Sequence, residues 1–510
     1  MRARRMTGTE MNKRDFADIF HVDAASLEKL MDEARRCGAC YADLYFECSS
    51  VMNLMMKDSA VTSGGRHEDF GVGIRVLDGD RTGYAYCETT DYQAMRQALR
   101  AACSICADGG SRGPAVWNGG RTDGLSGCHV HENRDGRGLS GYPFRSDGFA
   151  GGLPLNSWEE ADLNVMAGVL RRIDAQIRSH EPRTVKVVAQ LSGKMSRVIM
   201  FNSFGELCCD ERPLGSVAVS AVFSGKGRDG VQNVTKSASL SFRSGAEMLS
   251  EAFVGELTGK ILSGIDERFE AIRPKGGKMP VVMAAGASGI LLHEAMGHAF
   301  EADFNRKGQS VFSERLGQKI CPEGITVIDD GTIPGNRGTN VYDDEGVAMQ
   351  KTVLVENGVL TSYMHDRISA AYYNVSPTGN GRRESFRYSP LPRMRATYMD
   401  SGKYPPEEIV ASVERGIYVN EFSNGQVNIG EGDFTFYVNS GFLVENGRLT
   451  APVKDINIIG NGPRALADIR MTGNDLHIDN GAWTCGKEQS VPVSVGIPTI
   501  LVGSLAVGGE

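Results

Sequence analysis

Residues 291–303 read LLHEAMGHAFEAD and carry two histidines and a glutamate in the pattern H-E-x-x-x-H. Apolar residues recur in this stretch at three- and four-residue intervals, which predicts a helix with a broad apolar face. Ser288 is its predicted N-cap. The preceding KMPVVMAA, residues 278–285, predicts a buried strand. This part of the chain is therefore predicted to pass directly from a sheet into a helix that bears two histidines.

The five-residue spacing of His293 and His298 conflicts with regular helical geometry if both bind one metal ion. Side chains four residues apart lie about 40° apart around an α-helix, and side chains five apart lie about 140° apart. A π-turn, with its i→i+5 pattern, brings the second pair back to about 50°. Gly297 would lower the cost of that distortion. We therefore predict a π-bulge or helix break at about 295–299; the alternative is an apolar helix whose two histidines share no ligand.

The residues around the two histidines suggest how a metal site would work. Glu294 can take a proton from a metal-bound water, since a metal lowers the pKa of that water towards 7. Glu301 and Asp303 are candidates for orienting a histidine through its free N–H group. A tetrahedral catalytic zinc site needs a third protein ligand. Cys485 is one candidate, because the neighbouring Lys487 would favour its thiolate, and an acidic residue is the alternative.

Composition limits the class of protein. The chain has 510 residues, enough for two or three domains. Its net charge of −8 argues against nucleic acid or an anionic membrane as the main partner. The sequence contains no run of 18 apolar residues, so it predicts no transmembrane helix. The basic N-terminus lacks the apolar core of a signal peptide. Eleven cysteines without such a signal predict reduced thiols and a cytoplasmic location.

Four of the cysteines form two C-x-x-C pairs, Cys37 with Cys40 and Cys103 with Cys106. A redox or zinc role is one interpretation, with Cys128 close to the second pair in sequence. Inert thiols, buried or on a helix surface, are the other interpretation. Neither pair lies in a recognisable redox or zinc-ribbon context, which favours inert thiols.

The hydrophobic pattern before residue 270 predicts a mixed domain. Asp78-Gly79-Asp80 predicts a hairpin turn between two alternating runs. Residues 108–155 are rich in Gly, Arg, Ser and Asp, which predicts a long insertion. The predicted helices are 24–37, 92–107, 158–176 and 245–264, and the predicted strands include 42–48, 184–193, 194–203 and 216–225.

The remainder of the sequence predicts a second, strand-rich domain. Short alternating runs are separated by Asn-Gly and Asp-Gly turns, and VENG at 355–358 and 444–447 predicts two similar hairpins. The predicted fold is α+β: an N-terminal mixed domain followed by a curved-sheet or barrel-like domain that carries the metal-binding helix. The predicted limits are 1–22 for a flexible leader, 23–270 for the N-terminal domain and 271–510 for the metalloprotease domain.

Several blocks together resemble the TldD/PmbA family of metalloproteases, and its TldD subunit more than TldE. The resemblance covers most of the chain outside about 1–20 and 108–155. The blocks that carry it are HEAMGHAFEAD (293–303), DDEG (343–346), SPTGNGRR (376–383), PLPRM (390–394), GEGDF (430–434), PVKDINIIGNG (452–462) and CGKEQSVPV (485–493).

The resemblance implies a zinc-dependent peptidase. By motif position, His293, His298 and Cys485 would bind Zn²⁺, and Glu294 would be the base that activates the zinc-bound water. It also implies unfolded or leader peptides as substrates, bound in an extended conformation, and a TldE/PmbA-like paralogue as partner in a heterodimer, with a homodimer as the alternative.

The sequence departs from the family pattern after PLPRM. The family continues T-N-T-Y, whereas this chain has Arg395-Ala396-Thr397-Tyr398, which puts substrate specificity in doubt. Arg393 and Tyr398 are candidate substrate contacts, with packing as the alternative. Two other functions stay open: a non-catalytic TldE-like subunit, and a different Cys/His/His zinc amidohydrolase related in ligand set to peptide deformylase.

Overall fold

The computed structural model describes residues 13–106, 162–228 and 230–509. Residues 1–12 of the predicted leader, the predicted insertion at 108–155 and Cys128 lie outside the described residues. Within the described ranges, no helix has the length and apolar character needed to cross a membrane. The helices are α1 Lys13–Phe20, α2 Ala24–Arg36, α3 Tyr92–Ala102, α4 Leu163–His180, α5 Gly245–Leu249, α6 Glu251–Leu262, α7 Ile265–Glu270, α8 Ile290–Leu292, α9 Ala302–Arg306, α10 Arg367–Tyr373, α11 Pro406–Ala411 and α12 Gly462–Ala467.

The strands fall into an N-terminal set and a C-terminal set. The N-terminal set is β1 Tyr41–Lys57, β2 Ala60–Asp78, β3 Arg81–Cys87, β4 Thr184–Asn202, β5 Leu207–Gly227 and β6 Gly230–Phe242. The C-terminal set is β7 Gly277–Met283, β8 Val327–Asp330, β9 Lys351–Glu356, β10 Val359–Leu360, β11 Gly381–Arg382, β12 Leu391–Pro392, β13 Ala396–Met399, β14 Arg415–Val427, β15 Asp433–Glu445, β16 Arg448–Val453, β17 Asn457–Asn461, β18 Ile469–Thr472, β19 His477–Asp479, β20 Thr484–Lys487, β21 Gln489–Pro492, β22 Ser494–Ile497 and β23 Ile500–Gly508.

The N-terminal strands form one antiparallel sheet in the order β3-β2-β1-β4-β5-β6. The predicted turn between β2 and β3 is confirmed, with Gly79 in the left-handed region at φ 66°. The prediction of separate strands at 184–193 and 194–203 is wrong, because β4 runs through Gly193 without a break. Gly193 pairs with Met52 on one side and Gly215 on the other, and this pairing on both edges keeps the strand extended.

The helices of this half cover two separate cores. α2 and α3 pack over one part of the sheet, and α4 and α6 over another. The single helix predicted at 245–264 is wrong, because Ser250 ends α5 and starts α6. Its backbone is extended and its hydroxyl accepts a hydrogen bond from the Phe253 N–H, at 3.1 Å. A serine that caps a new helix in this way interrupts the preceding one.

The C-terminal strands build a small closed barrel and a second mixed sheet. β14, β7, β23, β17 and β15 follow one another around the barrel, and pairing of β15 with β14 closes it. The second sheet has the order β10-β9-β8-β13-β22-β19. Both VENG hairpins are confirmed, with Asn357 and Asn446 each in the left-handed region. The predicted α+β fold with a strand-rich, barrel-like C-terminal part is thus confirmed.

Buried charges join the two halves. Arg75 of β2 is fully buried, and it donates to Asp43 at 2.7 Å through Nε and to Glu345 at 2.6 Å through Nη1. Gly71 of β2 lies against Phe386, whose ring would be 2.3 Å from a Cβ at that glycine. The N-terminal sheet and the DDEG loop at 343–346 are therefore held in one packed interface. The predicted domain limits themselves stay a prediction.

Candidate metal centre

The two histidines lie where the helix changes its pitch. After β7, the chain forms a 3₁₀ turn at Ala287–Gly289 and then α8, followed by a π-turn at His293–Gly297 and a 3₁₀ turn at His298–Phe300. The π-turn predicted at 295–299 is therefore confirmed, two residues earlier than expected. This local widening brings His293 and His298 to one side of the chain, with ring centroids 5.2 Å apart.

The start of this segment differs from the prediction. Ser288 is not an N-cap, because its hydroxyl donates to the Asn420 carbonyl at 3.3 Å. Gly286 precedes the first turn instead, with φ 90°, a value that strains any residue with a side chain. The segment lies between the barrel and the second sheet: Gly286 N–H bonds to the Ile497 carbonyl of β22. The sheet contacts, and not a serine cap, fix the direction of this helix.

Gly297 is required for packing and not for its backbone angles. Its φ of −56° and ψ of −51° are ordinary right-handed values. A Cβ at this position would lie 2.2 Å from the sulfur of Met394. The glycine therefore lets the π-turn approach the segment that contains Met394, and the sequence-based reason given for it, a lower cost of distortion, is not the one that the structure shows.

Three potential ligands converge beside the π-turn, which begins at His293 and ends just before His298. His293, His298 and Cys485 are buried, and one ligand atom from each lies within 4.8 Å of the others. Cys485 reaches the site from β20, which pairs with β21 in a two-stranded sheet. Its Sγ lies 3.2 Å from Nε2 of His298. The structure thus brings His293 and His298, which are close in the sequence, together with Cys485, which lies 187 residues after His298.

This donor set fits a zinc ion. Two ligands on one tetrahedral zinc, with bonds of about 2.3 Å to sulfur and about 2.1 Å to nitrogen, lie about 3.5 Å apart. The observed distance between Sγ and Nε2 is close to that value. Nδ1 of His293 is buried and has no hydrogen-bond partner among the described residues, which is costly unless another group satisfies it. Nitrogen and thiolate ligands suit zinc better than they suit magnesium or calcium.

Glu294 lies at the open side of this cluster. Its side chain is 28% exposed, whereas the three potential ligands are buried. Its Oε2 lies 3.9 Å from Nε2 of His298. A carboxylate in this position is beside the ligands and in contact with solvent, so it can exchange a proton with a reacting group.

A buried charge network fixes the second histidine. Oε2 of Glu301 lies 3.0 Å from Nδ1 of His298, the arrangement by which a carboxylate sets the tautomer of a ligand histidine. Lys487 donates to Glu301 at 3.0 Å and to Asp303 at 2.8 Å. The prediction that Glu301 orients a histidine agrees with this contact, whereas Asp303 bonds to Lys487.

Electrostatic neighbours set the protonation of these groups in the metal-free protein. Burial opposes the ionisation of Cys485, but His293 and His298 overcome it and lower the pKa of the thiol to about 5. Burial likewise opposes the charge on His298, but Glu301 and the Cys485 contact raise the pKa of the imidazole to about 10. The pKa of Glu301 is lowered to about 2, against its burial, by Lys487 and His298. The two histidines therefore favour the Cys485 thiolate. Lys487 instead stabilises the charged forms of Glu301 and Asp303.

The segment around Met394 supports the site from behind. Arg393 is fully buried and donates to the carbonyls of Cys485 and Gln489, each at 2.7 Å. It therefore holds the β20–β21 hairpin in place, and this observed role is packing and not a substrate contact. Ala396 is also fully buried, and Tyr398 is 7% exposed on β13. The departure from the family pattern at this point thus lies in the core of the second sheet.

Sequence reasoning missed the links from Lys487 to Glu301 and from Arg393 to the β20 backbone. Lys487 follows Cys485 by two residues on a strand, so the two side chains lie on the same face. The sequence accordingly predicts the lysine beside the site but assigns it to the Cys485 thiolate, whereas the structure pairs it with Glu301 and Asp303. No pattern in the sequence pointed to the role of Arg393, because its partners are main-chain carbonyls.

Comparisons with known proteins agree with this architecture. Three family models of PmbA/TldA metallopeptidases match the sequence. Domain 1 matches residues 42–106, the central domain matches residues 156–261 and the C-terminal domain matches residues 276–509. The chain is 35% identical over 478 residues to the metalloprotease TldD homolog of Buchnera aphidicola subsp. Acyrthosiphon pisum, covering 92% of each protein. It is 34% identical over 476 residues to the Haemophilus influenzae TldD homolog, covering 92% of this chain and 93% of that protein.

A solved structure shares the fold. TldE from Thermococcus kodakarensis matches with a TM-score of 0.70 at 18% identity, over 95% of this chain and 100% of that chain. A similarity at this level of identity establishes the common architecture.

Proposed function

The chain belongs to the PmbA/TldD metallopeptidase family, and on this premise we propose that it is a zinc-dependent peptidase. In this proposal, His293, His298 and Cys485 hold the zinc, and Glu294 is the general base. The observation that carries it is the convergence of three buried ligand atoms within 4.8 Å, next to a carboxylate that reaches solvent. This convergence favours a catalytic TldD-like subunit over a non-catalytic one.

Each residue has a defined part in the reaction. Zinc, when bound, supplies a Lewis acid that polarises the scissile carbonyl and makes water more acidic. Glu294 takes a proton from the attacking water as the new C–O bond forms, and it delivers that proton to the amine as the C–N bond breaks. Glu301 accepts the Nδ1–H of His298, which leaves the Nε2 lone pair free for the metal. Lys487 keeps Glu301 charged. Arg393 holds the strand that carries Cys485 in position.

The proposed substrates are unfolded or leader peptides in an extended conformation. The strand-rich surroundings of the site support this choice, since an extended peptide forms main-chain hydrogen bonds with a sheet edge. We further propose that the chain works in the cytoplasm with a TldE/PmbA-like paralogue, or else as a homodimer.

The test compares Glu294→Gln with the unchanged chain, each alone and together with a paralogous subunit. Zinc is measured by mass spectrometry, and cleavage is measured on an unfolded peptide. We expect about one zinc per chain in both proteins and a loss of about 10²–10⁴-fold in kcat/KM in the variant, the range for a general base. Glu323→Gln, an exposed glutamate paired with Lys319, is the control and should retain full activity.

Two results would contradict the proposal. Full activity of Glu294→Gln would remove that residue from the reaction, and an intact chain without zinc at neutral pH would favour a non-catalytic subunit. A formyl-methionyl peptide is assayed in parallel with the unfolded peptide. Cleavage of the formyl group alone would identify the amidohydrolase alternative instead.

A further inference from the structure

The hairpin that carries Cys485 lies outside the two large C-terminal sheets. Its strands β20 and β21 pair with each other, and neither pairs with any other strand of the described ranges. A two-stranded hairpin is only marginally stable by itself in water. The position of the Cys485 sulfur relative to the two histidines therefore depends on the groups that hold this hairpin from outside.

Gln489, the first residue of β21, joins the hairpin to residues 384–389, which we call the 384–389 loop and which lie between β11 and β12. The Gln489 side chain is buried; its oxygen accepts from the Glu384 N–H at 2.7 Å, and its NH₂ group donates to the Ser389 carbonyl at 2.8 Å. The Glu384 carboxylate accepts in turn from the Ser490 N–H at 2.7 Å. Both ends of the loop are therefore bonded to the hairpin.

The N-terminal sheet holds the same loop through Phe386, which is fully buried. The Phe386 N–H donates to the Glu47 carboxylate of β1 at 3.0 Å, and its carbonyl accepts from the Tyr84 hydroxyl of β3 at 2.7 Å. Gly73 of β2 permits this approach, because a Cβ there would lie 2.4 Å from the Phe386 carbonyl oxygen. The middle of the loop is thus fixed by the N-terminal half, and its ends are fixed to the hairpin.

Arg387 adds a charged contact that is less protected from solvent. Its Nη2 donates to Asp69 at 2.9 Å and to Glu88 at 2.7 Å. The Glu88 side chain is 66% exposed, and exposed ion pairs contribute little because water screens them. The buried main-chain bonds of Phe386 are therefore the main hold of the N-terminal sheet on this loop.

We propose that Gln489 is a positioning residue for the zinc site and that Phe386 transmits to it the position of the N-terminal sheet. This inference rests on the proposed zinc site at His293, His298 and Cys485. Both histidines lie on the helical segment after β7, whereas Cys485 arrives on the hairpin. The way in which the hairpin is held therefore sets the distance between the thiolate and the imidazoles. Zinc accepts ligand distances only within about 0.2 Å of its preferred values, so a displaced hairpin binds it more weakly although all three ligands remain.

Arg393 limits the size of the expected effect. It donates to the main-chain carbonyls of Cys485 and Gln489, and these bonds remain when the Gln489 side chain is changed. Loss of the side-chain contacts should therefore displace the hairpin without releasing it. The expected loss of zinc affinity lies at the lower end of the range of about 10–100-fold for outer partners of a metal site.

The test measures the zinc affinity of the full chain by competition with a chromophoric chelator, with circular dichroism as the check that each variant is folded. Gln489→Leu removes both side-chain bonds at similar size and should lower zinc affinity about tenfold. Phe386→Leu should lower it less. The double variant should lose less than the product of the two single losses, because both residues act along one path. If Phe386→Leu does not fold, Tyr84→Phe takes its place, since it removes only the hydroxyl that bonds to the Phe386 carbonyl.

Glu206→Gln is the matched control. Glu206 of the N-terminal half pairs with Arg367 of the C-terminal half at 3.0 Å, so this variant weakens a contact between the halves that does not involve the 384–389 loop. Its zinc affinity should equal that of the unchanged chain.

The possible failures can be told apart. An unchanged chain that binds no zinc would contradict the proposed function, and the positioning role with it. Zinc binding that is as tight in Gln489→Leu as in the unchanged chain would overturn the positioning role alone. Single losses that multiply fully in the double variant, or an equal loss in Glu206→Gln, would overturn the path through Phe386. None of these readouts depends on peptidase activity.

Discussion

Cys485 and Cys103 are almost equally buried, with 3% and 6% exposure, but their acidities lie far apart. The pKa of Cys485 is lowered to about 5, whereas burial, with a smaller effect of the neighbouring Cys37 thiol, raises the pKa of Cys103 to about 12. Burial opposes ionisation in both cases. The difference comes from the neighbours, which are two imidazoles for one sulfur and other thiols for the other. The groups packed around a buried cysteine therefore decide whether its sulfur is a thiolate that can bind a metal or stays a protonated thiol.

The largest expected difference between the two regions is in metal binding. Cys485→Ser should weaken zinc binding by more than about a hundredfold, because removal of an outer hydrogen-bond partner alone costs about 10–100-fold. Peptide cleavage at limiting zinc should fall with it. Cys103→Ser, which changes an equally buried thiol in the other region, should leave zinc affinity unchanged. Competition with a chromophoric chelator measures the zinc affinity of both variants. Equal losses of zinc affinity in the two variants would contradict the assignment of Cys485 as the zinc ligand.

A smaller effect is expected from the residue that orients His298. Glu301→Gln removes the carboxylate charge but retains a group of similar size, so zinc affinity should fall by about 10–100-fold. The matched change is Asp303→Asn, which lies in the same network but contacts Lys487 and not a histidine. It should lower zinc affinity less than Glu301→Gln does. If Asp303→Asn had the larger effect, the proposed route through His298 would be wrong.

The smallest effect is spectroscopic and concerns the protonation of the two thiols. In metal-free protein, the Cys485 thiolate should form as the pH rises through about 5, because the folded protein lowers the pKa of this thiol. The thiolate absorbance of the chain minus that of Cys485→Ser should show this step in the ultraviolet. The difference between the chain and Cys103→Ser should show no step between pH 4 and 8. A Cys485 step above pH 8 would contradict the electrostatic account.

Much of the fold could be predicted from local sequence signals. Asp78-Gly79-Asp80 and the two VENG segments set their turns by backbone chemistry alone, and all three were placed correctly. Two of the errors arose where distant contacts override local patterns. Gly193 stays within β4 because strands pair with it on both sides. The Ser288 hydroxyl donates to the Asn420 carbonyl instead of capping a helix.

The candidate site shows the same limit. The spacing of His293 and His298 was sufficient to predict the π-turn, because a helical motif carries its geometry in its spacing. Cys485 lies far from them in the sequence, and spacing alone could not choose it over an acidic residue; the family resemblance made that choice. The ion pairs of Glu33 with Arg96 and Arg100 depend on how α2 and α3 pack, and no local pattern in either helix contains that information.

The central claim is that one zinc is bound by two imidazoles and the Cys485 thiolate. X-ray absorption at the zinc edge tests it most directly. We predict one sulfur at about 2.3 Å together with nitrogen or oxygen at about 2.0–2.1 Å, and loss of the sulfur signal in the Cys485→Ser variant. A zinc environment without sulfur, or a sulfur signal that survives Cys485→Ser, would contradict the account.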